Sequence, residues 1–102
     1  MKSQDGTFIL TKIAGISFRQ EFTKDLKSGD ILTLIREPNN QYDPNAIAIF
    51  FNGNQLGYVN KFNAESIAPR LDAGTKAMCV VKELTGGGQK TQGVNIMIKL
   101  SE

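Results

Sequence analysis

Residues 46–59 read AIAIFFNGNQLGYV, and this stretch indicates how the chain folds back on itself. Ala46 to Phe51 is an apolar run of the residue types that β-strands favour. Asn52-Gly53 follows directly, and this dipeptide readily adopts the left-handed backbone conformations of a two-residue hairpin turn. The sequence therefore predicts two antiparallel strands, Ala46–Phe51 and Gln55–Val59, joined by a tight turn.

Four further segments carry the patterning of β-strands and lie on both sides of this hairpin. Thr7 to Ala14 is rich in β-forming residues and ends at a glycine. Ile31 to Ile35 is apolar almost throughout, which predicts a strand buried on both faces. Thr75–Leu84 and Val94–Leu100 complete the set. In the last strand, alternation predicts one buried row, made by Val94, Ile96, Ile98 and Leu100.

One stretch has clear helical spacing. Its apolar stripe consists of Ala64, Ile67, Ala68 and Leu71. We expect the helix to start from an N-cap at Asn63 and to end at Gly74. Pro69 is compatible with one helix or with two short turns, and Phe62 is expected to pack on the core just before the first turn.

A second, shorter helix is predicted within Phe18–Lys27, with Phe22 and Leu26 facing inward. Six strands with one or two short helices in 102 residues favour a mainly β protein, a small and partly closed antiparallel barrel. Closure would protect strand edges that an open sheet leaves exposed. No repeat or linker is visible, so the expectation is a single domain over residues 1–102.

The composition excludes several classes of function. The chain has 12 basic and 10 acidic residues, a formal charge of +2, which argues against coating of long nucleic acids. It has no histidine and one cysteine, so a disulfide framework, a Cys/His zinc site within one chain and histidine acid–base catalysis are excluded. The first six residues lack the apolar core of a signal peptide, and no apolar run approaches membrane-spanning length. We therefore expect a soluble, cytoplasmic protein without a cofactor.

Two local features have ordinary structural interpretations. The glycine-rich stretch 85–93 contains Lys90-Thr91, but the residues one and six positions before that lysine are Gln89 and Leu84, where a phosphate-binding loop needs glycines. The stretch also leads into a strand, so a hairpin tip is the better interpretation. Cys79 lies in the middle of a predicted strand without a histidine to activate it, and we expect it to act as a small core hydrophobe.

Two clusters are candidates for binding. Glu37 to Asn45 is longer than a tight hairpin needs and carries Tyr42, so a structural turn and a binding loop are equally compatible with it. Aromatic and basic residues also mark the ends of elements at Phe18-Arg19, Tyr58 and Lys61. Such residues can belong to the core, or they can form a platform on which the bases of a single strand stack.

The string EPNNQYDPNAI (residues 37–47), followed by NGNQLGYV (52–59), resembles the HIRAN domain family, as do the segments 13–19 and 26–30. The match extends from about Thr7 to Thr85, and the last strands match in pattern only. The resemblance implies a modified OB-like β-barrel with short helices. It also implies a module that binds single-stranded DNA at its 3′ end, in a setting of DNA repair or stalled-fork processing.

The resemblance further implies roles for particular residues. Asp43 would accept a hydrogen bond from the terminal hydroxyl, Tyr42 would line the same pocket, and Asn40 would contact the backbone or a base edge. Phe18 could stack a base. Apart from the resemblance, the basic side chains of Arg19, Arg36 or Lys61 could contact phosphates, and Tyr58 completes the candidate nucleic-acid-binding residues. The chain departs from the family at Ser17, Arg19 and Tyr58, where the family has a basic residue, an aromatic residue and a histidine.

Three functions are therefore compared. The first is a non-catalytic module for single-stranded DNA, possessing no metal site and working beside a helicase or nuclease partner. The second is a protein-interaction module that uses the same loop without nucleic acid. The third is a metal-dependent nuclease, which is disfavoured because only Glu37 and Asp43 supply carboxylates near the candidate loop.

Overall fold

The computed structural model describes residues 6–87 and 90–101, and within them the chain forms a closed antiparallel barrel. The strands are β1 (Thr7–Ala14), β2 (Ile31–Arg36), β3 (Ile47–Phe51), β4 (Asn54–Val59), β5 (Lys76–Gly87) and β6 (Lys90–Ser101). A 3₁₀ helix (Ile16–Phe22) follows β1, and α1 (Lys61–Asp72) connects β4 to β5. The order around the barrel is β1-β4-β3-β2-β5-β6. The predicted mainly β barrel with short helices is thus confirmed.

The interior of the barrel is packed with aliphatic side chains. The predicted alternating row on β6, Val94, Ile96, Ile98 and Leu100, is fully buried. Ile47 and Ile49 of β3 and Leu56 of β4 join it from the other side of the barrel. Each such side chain stabilises the fold by about 1.5–3 kcal/mol relative to remaining in water. The residues available for binding therefore lie outside this core, on loops and outward strand positions.

The hairpin predicted from Asn52-Gly53 is confirmed. Both residues have positive φ, 51° and 83°, and Phe51 pairs with Asn54 across the turn. Further from the turn, the register of β3 against β4 shifts between Ile49 and Phe50, so that Ile49 pairs with Gly57. At Gly57 the backbone of β4 passes so close to β1 that a Cβ would overlap the carbonyl oxygen of Ala14. A glycine is required at this point for β1 and β4 to pair and close the barrel.

Some sequence expectations were wrong. Ile31 and Ile35 of β2 are exposed, because a closed barrel has one interior and the other face of each strand points outward. β5 extends to Gly87 and β6 begins at Lys90, so strand occupies much of the stretch 85–93 that was expected to form a hairpin tip; residues 88 and 89 lie outside the described residues. The N-terminal segment considered for a signal peptide also lies outside them, apart from Gly6.

The helices also differ in detail from the prediction. The N-cap of α1 is Asn60, whose side chain accepts a hydrogen bond from the Asn63 amide, so the helix begins three residues earlier than expected. Phe62 consequently sits inside the first turn and is exposed instead of packing on the core. Pro69 lies within one continuous helix. No helix in the described part of the chain is long and apolar enough to span a membrane.

The first helical segment begins earlier than predicted, directly after Gly15, is interrupted at Arg19 and ends at Phe22, so Leu26 lies beyond the helix instead of within it. Phe22 nevertheless packs against the core and Leu26 is buried in it, as the pattern indicated. This segment contacts β4 and β6. It therefore places Phe18 and Arg19 next to the end of β4.

Cys79 is fully buried on β5, as the sequence predicts, and burial raises its pKa to about 12. A thiol in this environment stays protonated and shielded in the folded protein. We expect no reaction with a chromogenic disulfide reagent at about pH 8 under native conditions, and complete reaction once urea unfolds the chain. Rapid labelling of the folded protein, followed by absorbance, would contradict this burial.

Candidate functional site

The loop between β2 and β3 is closed by its own backbone hydrogen bonds. The Glu37 amide donates to the carbonyl of Ala46 at 2.9 Å, across the base of the loop. The Ala46 amide donates to the Asp43 carbonyl at 3.0 Å, and the Asn40 amide donates to the Glu37 carbonyl at 3.0 Å. The loop is therefore ordered by its own hydrogen bonds, and it presents its central residues to solvent.

Side chains inside the loop fix the direction of Asp43. The Asn40 Oδ1 accepts from the amides of Tyr42 and Asp43 at 2.8 and 3.1 Å. The Asp43 Oδ1 accepts from the Asn45 amide at 2.9 Å. Oδ2 of Asp43 accepts no hydrogen bond from the described residues. The loop thus orders the carboxylate by one oxygen and leaves the other available to a ligand.

Glu37 joins the loop to the barrel wall. One carboxylate oxygen, Oε1, accepts from the Asn40 side-chain amide and from the Tyr58 hydroxyl, each at 3.0 Å. Sequence reasoning considered Glu37 only as a metal ligand and missed this positioning role. Its place at the start of the EPNN string was the available signal. Within the described residues no group of three or more metal-ligating side chains comes together.

A cavity of about 290 Å³ lies between this loop, the end of β4 and the start of α1. Its walls are apolar where they are formed by Ala14, Ala46 and Val59. Its polar lining consists of Asn40, Tyr42, Asp43, Tyr58 and Lys61. All five of these were predicted from the sequence, and they come from two stretches of the chain, 40–43 and 58–61. A mostly apolar cavity with a few convergent polar groups is typical of a ligand site.

A second cavity of about 340 Å³ continues the surface on the other side of Tyr58. Phe18, Arg19 and Tyr58 line it, together with Gly15, Gln55 and Gly57. Tyr58 borders both cavities, so it connects them. Tyr42 and Phe18, on either side, are 84% and 82% exposed. Large aromatic side chains held this far out of the core can contact a ligand without rearrangement of the fold.

Arg36 lies outside both cavities. Its guanidinium donates to both carboxylate oxygens of Asp72 at 2.9 and 3.0 Å and to the carbonyl of Ala46 at 2.8 Å. The hydrogen bond from Arg36 lowers the pKa of Asp72, and the same bond raises the pKa of Arg36. With its donors engaged in this way, Arg36 anchors the base of the loop to the end of α1 rather than facing a ligand.

Three comparisons describe what the chain resembles. The family model of the HIRAN domain matches residues 7–101. The chain is 42% identical over 52 residues to a helicase-like transcription factor of Oryctolagus cuniculus, covering 50% of this chain and 5% of that protein. It is 34% identical over 74 residues to a Fanconi-associated nuclease 1 homolog of Oryza sativa subsp. japonica, covering 69% of this chain and 8% of that protein. The chain thus spans less than a tenth of these relatives.

Two solved structures share the fold. The HIRAN domain of human HLTF superposes with a TM-score of 0.73 at 25% identity, covering 92% of this chain and 74% of that one. A protein from Lactobacillus plantarum superposes with a TM-score of 0.74 at 24% identity, covering 95% of this chain and 98% of that one. The second likeness shows the fold alone. Both agree with the six-stranded closed barrel described above.

Proposed function

The chain belongs to the HIRAN domain family, and on that premise we propose that it is a non-catalytic module that binds single-stranded DNA at a free 3′-hydroxyl end. Relatives named as a helicase-like transcription factor and as a nuclease homolog support a DNA-related role. The formal charge of +2 fits a protein that binds one end of a DNA strand better than a protein that binds along the whole strand. The module would act in DNA repair or in the processing of stalled replication forks, beside a helicase or nuclease.

The observation that carries the proposal is the cavity in which five residues predicted from the sequence meet. Asp43 enters this cavity with Oδ2 available, while Oδ1 is held by the loop. A terminal hydroxyl can donate a hydrogen bond to that oxygen. A terminal phosphate has no such donor when ionised and is repelled by the carboxylate. Asp43 would therefore distinguish the two ends by charge.

The surrounding aromatic residues supply affinity that does not depend on the base sequence of the DNA. Tyr42 and Phe18 are exposed on the two sides of Tyr58 and can stack successive bases. Stacking contributes about 1–3 kcal/mol per base, so two bases contribute roughly 2–6 kcal/mol. Lys61 in the first cavity and Arg19 in the second are exposed cations placed to meet phosphates. Together these contacts are compatible with micromolar binding, which corresponds to about 8 kcal/mol.

The proposal is tested by fluorescence anisotropy with one short single strand in three forms, ending in a 3′-hydroxyl, ending in a 3′-phosphate, or circularised. We expect at least roughly tenfold tighter binding of the free hydroxyl, equivalent to about 1.4 kcal/mol. Two phosphate contacts predict a shallow salt dependence, with a slope of about −1.4. Equal binding of all three forms would exclude end recognition. Absence of binding to any of them at low salt would favour a protein-interaction module.

A further inference from the structure

An apolar surface on the outer face of the barrel is not part of the proposed DNA site. The register places four outward-facing side chains side by side across four neighbouring strands: Leu10 opposite Met97, Met97 opposite Val80, and Val80 opposite Ile31. The next row contains Phe8, Lys99 and Met78. We call these apolar residues, namely Phe8, Leu10, Ile31, Met78, Val80 and Met97, the outer patch.

The outer patch is accessible rather than folded into the core. Leu10 is 72% and Ile31 60% exposed, and Phe8 and Met78 are also more than half exposed. Four large side chains in this state present on the order of 400 Å² of apolar surface, which is as large as the largest patch on a typical monomer. The barrel would be expected to keep these positions polar if water were their only neighbour.

Lysines surround the outer patch. Lys12 lies two residues after Leu10 on β1, Lys99 lies between Phe8 and Met78 in the second row, and Lys76 lies two residues before Met78 on β5. A groove of about 360 Å³ borders the patch, and its lining includes Leu10, Lys12, Lys82 and Glu83. Glu83 is the acidic member of this set, and its carboxylate is engaged by the side chain of Asn95 at 3.2 Å. The rim is therefore predominantly positive around an apolar centre.

From this arrangement we infer that the outer patch binds an acidic amphipathic segment of a partner protein, with apolar side chains on the central row and carboxylates against Lys12 and Lys82. A second copy of this chain would bring lysines against lysines, and the patch is smaller than the roughly 800 Å² per subunit of a stable interface. Single-stranded DNA is disfavoured because the central row is aliphatic and thioether, and the patch has one ring, Phe8, with the Lys99 ammonium 5.7 Å from its centre, so successive bases have no platform on which to stack.

This docking surface is independent of the proposed DNA site, since none of the outer-patch residues lines either site cavity. A partner carrying an acidic segment could therefore be held by the barrel while the DNA end is gripped. The lysines would also speed the approach of such a partner, and that effect would weaken with salt.

The test uses three labelled synthetic peptides in anisotropy measurements: alternating Asp and Leu, alternating Lys and Leu, and alternating Asp and Ser. We expect the Asp/Leu peptide to bind at least roughly tenfold tighter than the other two. Leu10→Ser should abolish that advantage, while Ile35→Ser, an exposed apolar residue outside the patch, should leave it intact. The double change Lys12→Glu, Lys82→Glu should transfer the preference to the Lys/Leu peptide.

Equal binding of the Asp/Leu and Asp/Ser peptides, or a preference unaffected by the charge reversal, would overturn the inference. So would self-association abolished by Leu10→Ser in sedimentation velocity, or stronger binding to phosphatidylserine vesicles than to the peptide. Urea unfolding of each variant checks that the barrel is intact. The oligonucleotide assay should be unchanged by Leu10→Ser, so failure of the docking proposal and failure of the DNA proposal are distinguishable.

Discussion

Replacing Asp43 with asparagine is expected to abolish the preference for a 3′-hydroxyl over a 3′-phosphate. The amide oxygen can still accept from the Asn45 amide, so the loop keeps its shape. The negative charge is lost, and the side chain gains a donor that a phosphate can use. Loss of a hydrogen bond to a charged group costs about 1.5–3 kcal/mol, so affinity for the hydroxyl end should fall by roughly ten- to a hundredfold. Affinity for the phosphate end should rise.

Asp25→Asn is the matched control, because Asp25 is exposed and lies outside both site cavities. It makes the same change in net charge, so it corrects for the general effect of removing a negative charge. Anisotropy with the two end-modified strands is the measurement. If Asp43→Asn, like Asp25→Asn, keeps the unaltered protein's ratio of affinity for the 3′-hydroxyl strand to affinity for the 3′-phosphate strand, Asp43 does not sense the end.

The second large effect is expected from Gly57→Ala, which should destabilise the barrel by about 3 kcal/mol through overpacking. The added methyl would overlap the carbonyl oxygen of Ala14 and lie 2.8 Å from Cγ2 of Ile13. These atoms belong to β1, which in the described part of the chain pairs with β4 through Ile13–Val59 and Ala14–Tyr58. Relief of the overlap requires these strands to separate, which opens the barrel. The melting temperature should fall by roughly 12–24 °C.

Gly93→Ala provides the comparison for the same chemical change. Gly93 also lies in a strand, but the nearest atom to its added Cβ is the Thr85 hydroxyl, at 2.7 Å, which can rotate away. We expect a change of less than about 1 kcal/mol there. Urea unfolding monitored by circular dichroism gives both values. Similar stabilities for the two variants would show that the close approach of β1 and β4 is not required for closure.

The elements that could be predicted from the sequence are those whose signal is local. The alternation on β6 and the Asn52-Gly53 turn each depend on neighbouring residues, and both are confirmed. The start of α1 was predicted wrongly, at Asn63, because the cap in the structure is Asn60. Asn60 also bonds through its side chain to Thr11 on β1, a contact between distant parts of the chain.

Phe62 shows how one such error propagates. Once the cap moves to Asn60, Phe62 becomes helical and lies two residues before Ala64, about 200° around the helix from the buried stripe. It must then point outward, as observed. The burial of β2 on one face has a similar origin. An apolar run does not show whether both faces of a strand are buried. In this closed barrel the outward-facing residues of β2 remain exposed.

The residues of the candidate site could be named from the sequence, but the role of each residue could not. Asn40 was expected to contact nucleic acid, yet most of its side-chain hydrogen-bonding capacity orders the loop. Arg36 was expected at a phosphate and is engaged by Asp72. Glu37 was missed as a positioning residue. Each of these depends on which partner lies closest in space, and sequence spacing carries no information about that.

The most direct test of the account is an NMR titration of the ¹⁵N-labelled protein with a short single strand ending in a 3′-hydroxyl. We predict that the largest amide shift changes fall on the loop 40–46 and on residues 57–61, with smaller ones near Phe18. The 3′-phosphate strand should produce markedly smaller changes around Asp43. Shift changes concentrated on β5 and β6, or identical changes for the two ends at Asp43, would contradict 3′-end binding at this cavity.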